Sequence, residues 1–352
     1  YTTGVANPYL LLEPSRTNVM ANSEYFGGYN IAQMSLEYNY AVSPEGVQNA
    51  TRLIENTAAG TAHSVSIATA TNGTEYALSV YAKPNGRDFI YMYVGGGPGT
   101  GTIINIVNGI KGNNIGNAPN DTIIEPVGNG WFRCTILFNS IAGSPTPTIG
   151  LANSLTSFTY TGDGTSGVLI YGIQLEAGSY PTSYIPTYSV SATRAQDVCN
   201  KTNASGEINS TEGVLYAEVE ALDNPTAQEI ALSISEGQSG ANRLLIRMKT
   251  DGKIGVVLRV ANTTEASIDS AVLNQSVKHK IALKWKVNDI AFWIDGIEVG
   301  TDNSANVFAA NILDEISFNQ GNGTNPFYGK VNALQVYKEA LTDAELATLT
   351  TI

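Results

Sequence analysis

Residues 75–83 (EYALSVYAK) put an apolar side chain at every second position, and the same two-residue period returns along the whole chain. A strand turns successive side chains to opposite faces. Tyr76, Leu78, Val80 and Ala82 therefore share one face, and Ala77, Ser79, Tyr81 and Lys83 the other. Segments 89–94 (FIYMYV), 131–138 (WFRCTILF) and 168–175 (VLIYGIQL) continue the pattern. Beyond residue 200 it resumes in 213–222, with Leu215, Ala217 and Val219 inward, and in 243–248, 253–260, 280–287 and 290–294. Asp251-Gly252 and Asp295-Gly296 read as two-residue hairpin turns. Strands at this spacing, with turn signals between them, fold as antiparallel sandwiches. A capping box at Thr342 and Glu345, followed by Leu346 and Leu349, predicts one short helix near the end of the chain.

A chain of 352 residues is long enough for two domains. Up to Asp197 it carries 12 acidic and 7 basic residues, and beyond that 19 and 12 in a shorter stretch. The shift coincides with an apolar-poor segment, 200–212 (NKTNASGEINSTE), that reads as a linker. The expected division is a sandwich over 1–197, a linker over 198–211 and a second sandwich over 212–352.

Charge narrows the partners. The net charge is −12, only 14% of residues are charged, and no basic run exists, which argues against nucleic acid. No apolar run approaches the roughly 18 residues of a membrane span, so membrane insertion is not expected. Two cysteines make no disulfide scaffold or zinc spacing. Cys134 alternates with Phe132, Ile136 and Phe138 and reads as a small buried hydrophobe. The chain starts at Tyr1 without Met and reads as a piece of a longer polypeptide.

Three segments resemble carbohydrate-binding-module-like jelly rolls of phage tail and fibre proteins. They are 10–22 (LLLEPSRTNVMAN) with its L-E-x-x-R-T-N, 129–138 (NGWFRCTILF) with G-W-x-R, and 167–187, with G-x-Q-L-E-x-G followed by S-Y-I-P-T. The second half resembles laminin-G or concanavalin-A-like jelly rolls through 278–299 and through 327–346, where F-x-G-x-V-x-x-L-x-V-Y leads into L-T-x-x-E-L. The resemblance implies an all-β chain of two antiparallel jelly-roll β-sandwich domains with one short C-terminal helix. It further implies a non-catalytic fibre or virion-surface protein, on the virion or extracellular, meeting a glycan or host cell-surface polysaccharide and other virion proteins. A homo-oligomer, such as a trimer, would fit. Both families often carry structural calcium near loop carboxylates. Asp163, Asp302 and Asp314 lie in loops, form no EF-type series, and are assigned no ligand role.

Two other functional classes stay open: a purely structural capsid or tail decoration or oligomerisation protein, and a glycan-cleaving enzyme. Glu218, Glu220 and Asp223 have the 1, 3, 6 carboxylate spacing of sandwich-fold glycosidases. They sit on the domain's first strand, with Asp where the family has Glu, and read as a solvated sheet face. The glycine-rich 95–99 segment (GGGPG) reads as a loop and not as a phosphate cradle. Aromatic surface is the stronger lead. If Leu78, Val80, Met92 and Ile136 define the core, Tyr81, Tyr91 and Tyr93 face outward with Arg133 and Gln174. Rings that stack on sugar C–H faces, beside polar groups that read hydroxyls, suit a glycan, so these five residues form the candidate site, with Gly172 leaving space beside Gln174.

Overall fold

The computed structural model describes residues 8–67, 69, 75–96, 99–139 and 145–352. It divides into two compact units, Ser15–Ala195 and, together with residues 8–14, Gln196–Ile352. Each unit is a sandwich of two six-stranded sheets whose ladders run antiparallel, so the chain is all-β as its alternation requires.

In the first unit one sheet runs Asp121–Gly128, Trp131–Asn139, Glu75–Asn85, Gly167–Ala177, Ala50–Glu55, Met34–Ala41. The facing sheet runs Ile110–Gly116, Thr100–Asn105, Phe89–Gly95, Thr146–Ala152, His63–Ser66, Asn30–Ala32. Leu78, Val80, Met92, Cys134 and Ile136 are fully buried between them, as their phase along the strands requires. Burial pushes the Cys134 thiol up to about 12, so it packs as an apolar group. Each large side chain sealed in this way contributes about 1.5–3 kcal/mol.

The glycine-rich 95–99 segment follows its strand, and its Gly97 and Pro98 lie outside the described residues. At one end of this core Glu55 is buried and accepts from Arg87 Nε and Nη2, the Tyr160 hydroxyl and the Asp163 N–H. Burial would raise the Glu55 carboxyl, but these hydrogen bonds and the Arg87 charge outweigh it and hold the group below its ordinary value. Stability from such a depressed group is complete above the unfolded-state value and is lost as pH falls through the folded-state value. The first unit should therefore melt progressively earlier below about pH 4.5, and Glu55→Gln should flatten that dependence while lowering the plateau. Thermal melts between pH 7 and 3 measure both.

In the second unit one sheet runs Leu10–Leu12, Gly329–Tyr337, Glu212–Ala221, His279–Lys286, Ile290–Ile294, Ile297–Asp302. The other runs Asn200–Lys201, Glu315–Ser317, Ile230–Ser235, Arg243–Met248, Lys253–Val260, Thr263–Val272. Leu215, Ala217 and Val219 point into a core centred on Trp285 and Phe292. Thr342 caps the helix Asp343–Thr350 by a reciprocal capping box with Glu345, and Leu346 packs on the outer side of the first sheet against Tyr216 and Trp293.

Two boundary expectations are corrected. Leu10–Leu12 does not join the first sandwich: it pairs with Gly329–Tyr337, and Leu12 enters the second core. The segment read as a linker is also part of the second unit. Asn200–Lys201 extends a sheet, Ala204 and Ile208 are buried in the core, and the Ser210 hydroxyl accepts from Leu313 N–H. Few apolar residues suffice when each is buried, and a composition window averages them away.

Of the two expected turns, Asp295-Gly296 closes a two-residue hairpin with both residues at positive φ. Asp251-Gly252 instead ends a three-residue loop closed between Lys249 and Lys253, with only Gly252 at positive φ.

Candidate functional site

The outward face of the first unit's Glu75–Asn85 sheet brings three of the five candidate residues together. Register places Arg133 opposite Tyr81 and Gln174 opposite Ser79. Tyr91 and Tyr93 belong to the facing sheet and look out of the other side of the sandwich. This corrects the expected convergence. Alternation fixes faces within a strand but does not choose a strand's neighbours. Tyr91 is moreover only 3% exposed, its ring 4.9 Å from that of Phe158, so it is covered by its own chain.

A bulge at Gly172 builds the site. Pairing jumps between Tyr171 and Gln174, so Ile170 and Ile173 both enter the core while Tyr171, Gln174 and Glu176 face outward. Gln174 therefore shares its face with Tyr171, across the extra residue. Gly172 sits at φ +61, and a Cβ there would come within 3.1 Å of the Tyr184 ring and 3.2 Å of the Tyr81 ring. Only glycine permits both the backbone and the aromatic approach.

Arg133 and Gln174 do face outward, but a strap over residues 179–188 lies on them. Arg133 donates to the Thr182 carbonyl at 2.6 Å and to Ser79 at 3.2 Å, and sits 5.6 Å above the Tyr81 ring. Gln174 donates to Glu176 and accepts from Ile185 N–H. Fully buried Glu176 accepts from the Thr182 N–H at 2.8 Å and hydroxyl at 2.6 Å, with Arg16 at 3.9 Å. Asn18 donates to the Ile173 and Ile185 carbonyls and accepts from Met20 and Leu175 N–H. Polar residues of all three quoted motifs thus hold the strap in place.

What the strap delivers is Tyr184. Its ring centroid lies 5.3 Å from Tyr171 and 6.2 Å from Tyr81, and those two rings lie 6.0 Å apart. With Pro44, Glu45 and Pro186 they line a cleft of about 270 Å³, at the small end of ligand clefts. Glu24 and Glu45 edge it. Tyr171 donates to Glu45 at 2.7 Å and Tyr184 to Glu24 at 3.1 Å. Burial first, then for Tyr171 the Glu45 hydrogen bond and for Tyr184 the Glu24 charge, push both hydroxyls well above the ordinary tyrosine range, so they remain donors. The cleft offers apolar ring surface with carboxylate acceptors at its edge. Sequence reasoning missed Tyr171, Tyr184, Glu24 and Glu45. A glycine inside a strand pattern was the available signal, since it often marks a bulge.

The carboxylate trio of the second unit forms no dyad. Glu218 pairs with Lys278 at 2.8 Å, and Glu220 with Lys330 at 2.7 Å. The loop carboxylates are already engaged: Asp163 accepts from Thr165 and Ser166 and Asp302 from Ser304, within their own loops, and Asp314 accepts from Gly237 N–H of another loop. Among the described residues, no group of three or more His, Cys, Asp or Glu is placed to hold a metal ion, and no helix is long and apolar enough to cross a membrane.

The comparison with curated proteins returns no match. Among solved structures, the chain is similar to the CBM40 of the Ruminococcus gnavus IT-sialidase, bound to α2,3-sialyllactose. Identity is 21% over 42% of this chain and 86% of that one, with a TM-score of 0.35. It is also similar to the NanB sialidase of Streptococcus pneumoniae, at 16% identity over 44% of this chain and 26% of that one, TM-score 0.37. A third likeness is to the heptameric SAP-like pentraxin of Limulus polyphemus, at 16% identity over 40% of this chain and 70% of that one, TM-score 0.30. Residues 202–347, all within the second unit, match a laminin-G family model described as the concanavalin A-like lectin/glucanases superfamily.

Proposed function

We propose that the first unit is a non-catalytic glycan-binding module whose saccharide site is the Tyr81, Tyr171, Tyr184 cleft. The observation that carries this reading is the convergence of three tyrosine rings beside two carboxylates in one concave site. Apolar sugar faces stack on the rings, and the Glu24 and Glu45 carboxylates at the edge accept from sugar hydroxyls. Charge-assisted hydrogen bonds of this kind are worth about 1.5–3 kcal/mol each.

Titration calorimetry of the full chain against a glycan panel tests it. A saccharide that binds the wild-type chain should bind Tyr184→Ala and Tyr81→Ala at least about tenfold more weakly, a loss of about 1.4 kcal/mol. Tyr91→Ala should lower the melting temperature and leave affinity unchanged. Equal affinity across all three variants, or release of reducing sugar by the wild-type chain, would overturn the reading. A panel with no ligand at all would favour the rival role of structural decoration. The setting on a virion surface or outside a cell, with other virion proteins as neighbours and a homo-oligomeric assembly, is proposed on the sequence resemblance alone. Sedimentation of the full chain tests the assembly.

A further inference from the structure

Three times in the first unit, a tyrosine ring and a carboxylate meet the same arginine. Arg16 lies 5.1 Å from the centre of the Tyr180 ring and 3.9 Å from Glu176. Arg52 lies 5.0 Å from the Tyr40 ring and 3.2 Å from Glu37. Arg87 lies 5.0 Å from the Tyr160 ring and donates to Glu55 at 2.8 Å. A cation gains from both neighbours: the negative ring face attracts it through the quadrupole, and the carboxylate through its charge.

The tyrosine cleft brings the same two ingredients together without an arginine or lysine to match them. Among the described residues, Glu24 and Glu45 make no ion pair, and no arginine or lysine lies over the Tyr171 or Tyr184 ring. Arg133 lies over Tyr81, but its donors go to Thr182 and Ser79.

The two carboxylates are also crowded. Tyr171 Oη is 3.3 Å from Glu24 and 2.7 Å from Glu45, and Asn49 Nδ2 is 3.3 Å from each. A phenol has one proton, so Tyr171 serves only one carboxylate at a time. Two anions that share donors in this way repel each other. A ligand that brings positive charge and several N–H donors relieves both deficits, and an ammonium has three. Hydroxyl donation to an anion also polarises Tyr171 and Tyr184 and makes their ring faces more negative.

We infer that the saccharide bound at this cleft is an amino sugar with a free, protonated amine, whose ammonium is held by Glu24 and Glu45 against the tyrosine rings. The inference rests on the reading of the cleft as a glycan site and names the class of glycan. N-acetylation of the same sugar removes the charge and two of the donors while leaving the ring that stacks.

The test titrates the full chain with a glucosamine oligosaccharide, its N-acetylated counterpart and Nα-acetyl-lysine amide, at low salt and a mildly acidic pH that keeps the amines charged. The free-amine oligosaccharide should bind at least about tenfold more tightly than the acetylated one, and added salt should narrow the gap. Glu45 is exposed, so Glu45→Gln should leave the melting temperature in place. Glu45→Gln and Glu24→Gln should each weaken the free-amine form about tenfold and change the acetylated form less than about twofold. Tyr184→Ala should weaken both forms. Acetylated sugar that binds as tightly as the free amine, and is lost in Tyr184→Ala, would overturn the inference and leave the cleft a site for neutral glycans. Unchanged affinity for the free amine in both glutamate variants would overturn it as well. So would lysine amide binding as tightly as the amino sugar, which would assign the cleft to peptide cations. If neither oligosaccharide binds while another glycan does, this inference fails alone, and if no glycan binds, the glycan reading fails with it.

Discussion

Glu176→Ala should destabilise the first unit by about 3–5 kcal/mol, the scale for removing one partner of a buried charged network. Its melting transition should fall by roughly 10 °C. The substitution deletes one fully buried carboxylate and strands several donors at once: the Thr182 N–H and hydroxyl, the Gln174 amide and the nearby Arg16 guanidinium. A buried donor without an acceptor costs its full desolvation penalty, about 1–3 kcal/mol each. Amide exchange should rise across residues 179–188 and remain slow in the core strands 75–85 and 131–139. Because the strap delivers Tyr184, saccharide affinity at the cleft should fall as well. Glu176→Gln, which keeps the shape and one acceptor oxygen, should recover part of both losses. A change of under about 1 kcal/mol, typical of an exposed position, would show that the strap is held by other contacts.

Leu12→Asp should destabilise the second unit and spare the first. Leu12 is 3% exposed within the core that contains Trp285 and Phe292. Truncating a buried leucine alone costs about 2–5 kcal/mol, and an unpaired carboxylate in the same place costs more. The effect should appear as faster amide exchange in residues 279–294 and 329–337. Exchange in 75–85 and 131–139 should be unaltered, although those segments are far nearer in sequence. If instead the first unit loosens, the pairing of Leu10–Leu12 with Gly329–Tyr337 is wrong.

The two substitutions probe what the sequence could and could not convey. Phase within a strand was legible: Leu78, Val80, Met92 and Ile136 are buried as their alternation requires, and Leu215, Ala217 and Val219 likewise. The capping box at Thr342 also marked the one described helix. Strand neighbours were not legible, because period two is the same on both sheets of a sandwich, so Tyr91 and Tyr93 were grouped with a face they do not share. Nor can alternation say what covers an outward residue. Arg133 and Gln174 face outward, yet they bind the protein's own groups, among them the Thr182 carbonyl and the Ile185 N–H. The Gly172 bulge shifted the phase of its strand by one residue and made Tyr171 the outward partner of Tyr81.

The pairing of Leu10–Leu12 with Gly329–Tyr337 also dictates an order of events during synthesis. About 320 residues separate the partners, and the free-energy cost of closing so long a loop rises only logarithmically with its length. The delay is the larger consequence. A nascent chain emerging at about 5–20 residues per second exposes the first of these strands long before its partner exists. By then the whole first sandwich has left the ribosome and can fold as a unit. That sheet of the second unit must wait until Gly329–Tyr337 has been made. Until then Leu10–Leu12 and the far edge of Glu212–Ala221 present unpaired N–H and C=O groups, the kind of open edge that recruits strands from other chains. The closing strand, Gly329–Tyr337, pairs with both at once and so ends that exposure in a single step.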